Sequence, residues 1–140
     1  MMTPDIFVYG TLMPTAVGAY GRDQRQRLLA GAHVMGEATI SGRLYDLGQY
    51  PGLVLSDDPG DEAYGVVLRL ADPAAVFPWL DAYEGIRLGA TGAGAPDNEY
   101  ERVLRPVRLA GGTLLSAWVY ACLAPVSPSA FIHGGRWQKP

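Results

Sequence analysis

Two short stretches of this chain hold residue types whose spacing could do chemistry. In the first, Ile6, Phe7, Val8 and Tyr9 run into Gly10, Thr11 and Leu12. β-branched and aromatic residues in a row read as a strand buried on both faces. Gly10 reads as a tight turn, because glycine alone takes positive φ at little cost. Such a turn can leave the N–H groups of Gly10, Thr11 and Leu12 facing outward with no neighbouring strand to accept them. A cluster of donors of this kind can hold a carboxylate or a developing oxyanion. The plain alternative is that Gly10 only ends a strand.

In the second stretch, Leu80-Asp81-Ala82-Tyr83-Glu84-Gly85, an acid closes an apolar helix just before a glycine. Helix C-terminal carbonyls carry partial negative charge, so Glu84 sits where its pKa tends upward and a cation is welcome. Read alone, these residues equally allow a solvated surface glutamate. Asp81, one turn earlier, reads as structural or capping.

Other chemistries find no support. A Gly-x-Ser-x-Gly elbow is absent, as are a phosphate loop with Lys-Ser/Thr and a Gly-x-Gly-x-x-Gly between strand and helix. His33, His133 and the single Cys122 lie far apart without ligand spacing, so no metal site is expected. Cys122 falls in a core-strand pattern with no charged group nearby in sequence to activate it. It reads as a buried inert thiol, and a redox role would require it to be accessible. Lys and Arg total 11 and form no block, which argues against a nucleic-acid partner.

The elements that must position the two stretches fit one domain spanning residues 1–140. With 49% hydrophobic residues, 18% charged and a net charge of −3, a globular chain is expected. A lone cysteine, no basic-then-apolar leader and no long apolar run point to the cytoplasm rather than a membrane. Residues 23–29 suggest a short surface helix. Residues 33–47 are strand-like, with bends or bulges at Gly36 and Gly42. Tyr50-Pro51-Gly52 reads as a turn between short apolar runs, and 56–61 as another. Residues 64–70 form a strand.

Asp72 as N-cap and Pro73 at the first position open a helix whose Val76, Phe77, Leu80 and Tyr83 share a face, with a kink expected at Pro78. Residues 86–98 form a long glycine-rich loop, expected to be mobile or functional. Residues 99–109 and 114–123 read as a hairpin about Gly111-Gly112. Six or seven strands and two helical segments without regular alternation indicate an α+β fold on a mixed, curled sheet.

Taken together, Val8-Tyr9-Gly10-Thr11-Leu12, Tyr45-Asp46-Leu47-Gly48, Tyr50-Pro51-Gly52, Gly65-Val66, Leu80 to Gly85 and Tyr100-Glu101-Arg102 resemble, in order, the gamma-glutamylcyclotransferase-like family. The resemblance is to its avirulence-induced-gene-like and gamma-glutamylamine cyclotransferase-like branch. It implies a curled, barrel-like sheet with short helices, and a cavity between the turn and the glutamate.

By that resemblance Tyr9, Gly10, Thr11 and Leu12 hold a small-molecule gamma-glutamyl substrate, Glu84 is the catalytic acid and base, and Tyr100 helps line the site. The implied reaction releases 5-oxoproline and a free amine or amino acid. The substrate's own α-amine is the nucleophile there, so neither metal nor organic cofactor is required. Bacterial members of the family often carry Gly-Asp-Trp near the C-terminus, where this chain has Gly135-Arg136-Trp137. A non-catalytic small-molecule binding domain with the same cavity is the competing reading.

Overall fold

β1 (Asp5–Val8) is buried along its whole length. Ile6 and Val8 join one apolar cluster while Phe7 and Tyr9 join another, as period-2 alternation requires of a strand covered on both faces. The computed structural model describes residues 2–89, 92, 94, 95 and 97–138. Along the chain follow α1 (Arg22–Ala30), β2 (Ala32–Asp46), β3 (Pro51–Leu55), β4 (Glu62–Leu70), α2 (Pro73–Tyr83), β5 (Tyr100–Leu109) and β6 (Leu114–Cys122), then a 3-10 turn at Pro128–Ala130.

The strands run in the order β1-β4-β2-β3-β6-β5, and β1 also pairs with β6. Five strands therefore close into a barrel, with β5 paired to β6 and reaching β2 at Ala38 and Thr39. Closure rests on single parallel pairings, Ile6 with Trp118 and Leu53 with Ala121. Phe7, Leu44, Leu53, Val67 and Val119 fill one apolar cluster. Ile6, Leu28, Leu68, Phe77 and Leu80 form the other, in which side chains of α1 and α2 pack on strand residues. This is the expected α+β architecture.

Several local expectations are modified by neighbours distant in sequence. β2 is one continuous strand, with a register shift between Val34 and Gly36 and none at Gly42. The turn before β3 spans Leu47 to Tyr50, closed by the Leu47 N–H on the Tyr50 carbonyl at 3.0 Å. Pro51 and Gly52 instead belong to β3, opposite Asp46 and Tyr45. Proline is tolerated there because it is the first residue of the strand.

Asp72 caps α2 by accepting from the Ala75 N–H, with Pro73 at the first helical position, and the helix continues through Pro78. In the expected loop at 86–98, residues 90, 91, 93 and 96 lie outside the described ones. Asn98 is buried and ties the loop's base, its amide oxygen accepting from the Arg87 N–H and its NH2 donating to the Arg87 carbonyl. Among the described residues no helix is long and apolar enough to cross a membrane.

Candidate active site

Glu84 closes α2, and the way the helix ends fixes where the side chain goes. The Ile86 N–H reaches back to the Asp81 carbonyl at 2.9 Å and the Gly85 N–H to the Ala82 carbonyl at 3.1 Å. This is a Schellman cap, and it puts Gly85 at φ 75°, where a Cβ is penalised. Gly85→Ala is expected to cost about 1–2 kcal/mol in a urea melt. It should also lower any activity that depends on Glu84, because the strain falls on the next peptide.

Asp81 pins the same turn to the barrel. Its carboxylate accepts from Arg102 Nε at 2.9 Å and Nη2 at 3.2 Å on β5, and from the Tyr120 hydroxyl at 2.6 Å on β6. Arg102 itself lies over the Phe77 and Trp118 rings, which meet edge to face. The structural role expected for Asp81 is the observed one.

Glu84 opens onto a cavity of about 130 Å³. Its wall brings together all six residues singled out above: Tyr9, Gly10, Thr11, Leu12, Glu84 and Tyr100. Gly10 to Met13 form a β-turn closed by the Met13 N–H on the Gly10 carbonyl at 3.0 Å. Among the described residues, the N–H groups of Gly10, Thr11 and Leu12 have no backbone acceptor.

Gly10 does not take positive φ. Glycine is needed because the Pro51 ring occupies the place of a Cβ, with its Cδ only 2.6 Å from it. Tyr9 is in the wall, but its hydroxyl is committed to the scaffold. It donates to the Tyr120 carbonyl at 2.5 Å and accepts from the Leu53 N–H at 3.3 Å. The Tyr100 hydroxyl donates to the Pro51 carbonyl at 2.9 Å.

The residues that sequence reasoning did not single out are Glu99, Tyr50, Tyr20, Tyr83 and Tyr120, all in the same wall. Glu99 accepts from the Tyr50 hydroxyl at 2.8 Å, and the Tyr50 ring stacks on Tyr20 at 5.6 Å. A second acid beside a tyrosine already read as site-lining was the available signal for Glu99.

Burial drives the electrostatics. It pushes the half-buried Glu84 carboxyl up to about 7, with the charges of Glu99 and Asp81 adding to the shift. Tyr50 is raised to about 12, first by its bond to Glu99 and then by burial, and Tyr83 to about 12 chiefly by burial. Burial likewise pushes Tyr9, Tyr100 and Tyr120 up. The phenols are held neutral, while Glu84 can exchange a proton near neutrality. Among the described residues no group of three His, Cys, Asp or Glu side chains is placed to hold a metal ion.

The family model described as "Gamma-glutamyl cyclotransferase, AIG2-like" matches residues 6–139. The chain belongs to this family. Comparison with curated proteins gives no match. Among solved structures, an AIG2-like protein from Mus musculus superposes with a TM-score of 0.70 at 19% identity, over 99% of this chain and 90% of that one. YkqA from Bacillus subtilis gives 0.67 at 22%, over 97% of this chain but only 40% of its own. An Arabidopsis thaliana protein gives 0.61 at 24%, over 99% and 71%.

At these identities the structural likeness carries the fold, and the family match carries the membership. Membership in the gamma-glutamyl cyclotransferase, AIG2-like family is consistent with cyclotransferase activity. The second acid then acquires a testable part. Glu99→Gln removes a like charge near Glu84, so the Glu84 carboxyl should fall below 7 toward the ordinary glutamate range. The acid limb of kcat/KM should move to lower pH by the same displacement. A limb that stays in place would show that Glu99 does not act on Glu84.

Proposed function

We propose that the chain is a gamma-glutamyl cyclotransferase, with Glu84 as general acid and base and the turn at Gly10, Thr11 and Leu12 as the anion-holding wall. The observation that carries this reading is one cavity shared by a carboxyl raised to about 7 and a turn of amides without backbone acceptors.

The substrate's α-nitrogen attacks its own γ-carbonyl carbon, forming the five-membered ring. The bond from that carbon to the leaving nitrogen then breaks. Over the cycle two protons leave the α-ammonium and two arrive at the leaving nitrogen. A carboxyl poised near neutrality can relay them, for roughly 10²–10⁴-fold. The charge that grows on the γ-oxygen needs donors fixed in advance, and a turn built against the Pro51 ring supplies them without reorganising. Tyr9 and Tyr100, bonded to backbone carbonyls, hold the shape of the wall around the folded substrate. Neither step calls on a metal or an organic cofactor.

The test is 5-oxoproline release from gamma-glutamyl amino acids, peptides and amines incubated with the purified protein. Release from at least one of them is the expected result. Binding of these compounds without release would make the chain a small-molecule binding domain instead.

A further inference from the structure

α1 carries four charged side chains, and only one of them turns inward. Arg22, Asp23 and Arg27 are exposed, whereas Arg25 is 7% exposed and lies on the same side as the fully buried Leu28, three residues on. A buried guanidinium needs partners, and ordinarily one of them is a carboxylate. Among the described residues Arg25 has no ion pair. Its fork is taken up by two carbonyl oxygens, Nη1 donating to Thr11 at 2.8 Å and Nη2 to Gly18 at 2.9 Å.

The Thr11 carbonyl and the Leu12 N–H belong to one planar, trans peptide, so they point in opposite directions. A guanidinium that fixes the first also fixes the second. A Cβ at Gly21, the N-cap of α1, would meet the Thr11 side chain and the Tyr83 hydroxyl at 3.1–3.3 Å, so the helix starts close behind the turn.

We propose that Arg25 is a positioning residue for the turn. By holding the Thr11 and Gly18 carbonyls it aims the Leu12 N–H into the cavity, and it places an unneutralised positive charge behind that peptide. The charge is felt at the cavity wall: burial pushes the Tyr83 phenol up, and Arg25 works against it. Two carboxylates, Glu84 and Glu99, line the cavity, and among the described residues no basic side chain does. Arg25 therefore gives the turn a positive potential that no residue of the wall provides. Lysine would keep the charge but not the fork that holds the Thr11 and Gly18 carbonyls together and so fixes the peptide.

The catalytic consequence rests on the cyclotransferase reading, but anion binding by the turn does not, and the experiment separates them. Arg25→Lys and Arg25→Met are compared with wild type, with folding checked by circular dichroism. In turnover, kcat should fall about 10–10²-fold while KM changes less than about threefold. The acid limb near 7 should stay in place, because Arg25 is not among the groups that shift Glu84.

Independently of turnover, 5-oxoproline is titrated while the Leu12 amide resonance is followed. A shift in wild type that is lost in Arg25→Lys supports the proposal even if no compound is turned over. Equal shifts in both, no shift in wild type, or wild-type kcat in either folded variant overturns it. Should Arg25→Met fail to fold, Arg25→Lys carries both readouts.

Discussion

Glu84→Gln is expected to lower kcat for 5-oxoproline release by about 10²–10⁴-fold, or roughly 3–5 kcal/mol of transition-state stabilisation. Glutamine fills nearly the same volume and can donate a hydrogen bond, but it cannot take a proton from the α-nitrogen. Binding of 5-oxoproline should therefore survive within about threefold, since the turn proposed to hold the anion is untouched.

The wild-type pH profile supplies the second half of the argument. With the carboxyl at about 7, Glu84 is protonated below that pH and cannot act as a base, so kcat/KM should fall tenfold per unit on the acid side. In Glu84→Gln that limb should vanish along with most of the rate. A variant retaining half the wild-type kcat with the same limb would remove Glu84 from the mechanism and transfer the search to Glu99.

What could be read in the residues follows from the range over which each physical rule acts. The burial of β1 on both faces, the Asp72-Pro73 helix start and the Gly111-Gly112 hairpin each depend on a few adjacent residues, and each is observed. The Glu84-Gly85 helix end is of the same kind, because a Schellman cap is a local device. Gly10 was legible as a special position, but its reason was not. Positive φ is a local property, whereas the Pro51 ring beside it arrives from another strand.

Tyr50-Pro51-Gly52 has the composition of a turn, yet pairing with β2 draws Pro51 and Gly52 into β3 and leaves the turn at Leu47 to Tyr50. α1 shows the cost of reading a charged helix as a surface one. Its polarity is real on three sides, and the single inward charge, Arg25, is identified only by the loop carbonyls it meets. Barrel closure through single parallel pairs, and the gathering of Tyr20, Tyr50 and Glu99 at one cavity, leave no periodic trace. The resemblance named the turn and the glutamate, and the fold supplied their surroundings.

The same Glu84→Gln protein is expected to be more stable than wild type at pH 8 and about equally stable at pH 5. Burial raises the native carboxyl from 4.5 to about 7, so between those values the folded state holds a proton that the unfolded state has lost. Stability of the wild type must then fall as pH rises through that window, by about 1.4 kcal/mol per unit of difference. Over about 2.5 units the ceiling is roughly 3 kcal/mol, and water reaching the half-buried residue reduces it to about 1–3.

Glutamine carries no charge and escapes the penalty. At pH 8 its melting temperature should exceed the wild-type value by about 3–10 °C, and at pH 5 the two curves should nearly coincide. A surface glutamate paired with a cation would give the opposite sign, with wild type favoured above its pKa. A stability gap that did not change between pH 5 and pH 8 would mean the carboxyl is solvated and ordinary, and the proton relay would lose its physical basis. The gain, if found, measures the free energy the fold forgoes to keep an acid near neutrality beside Glu99 and Asp81.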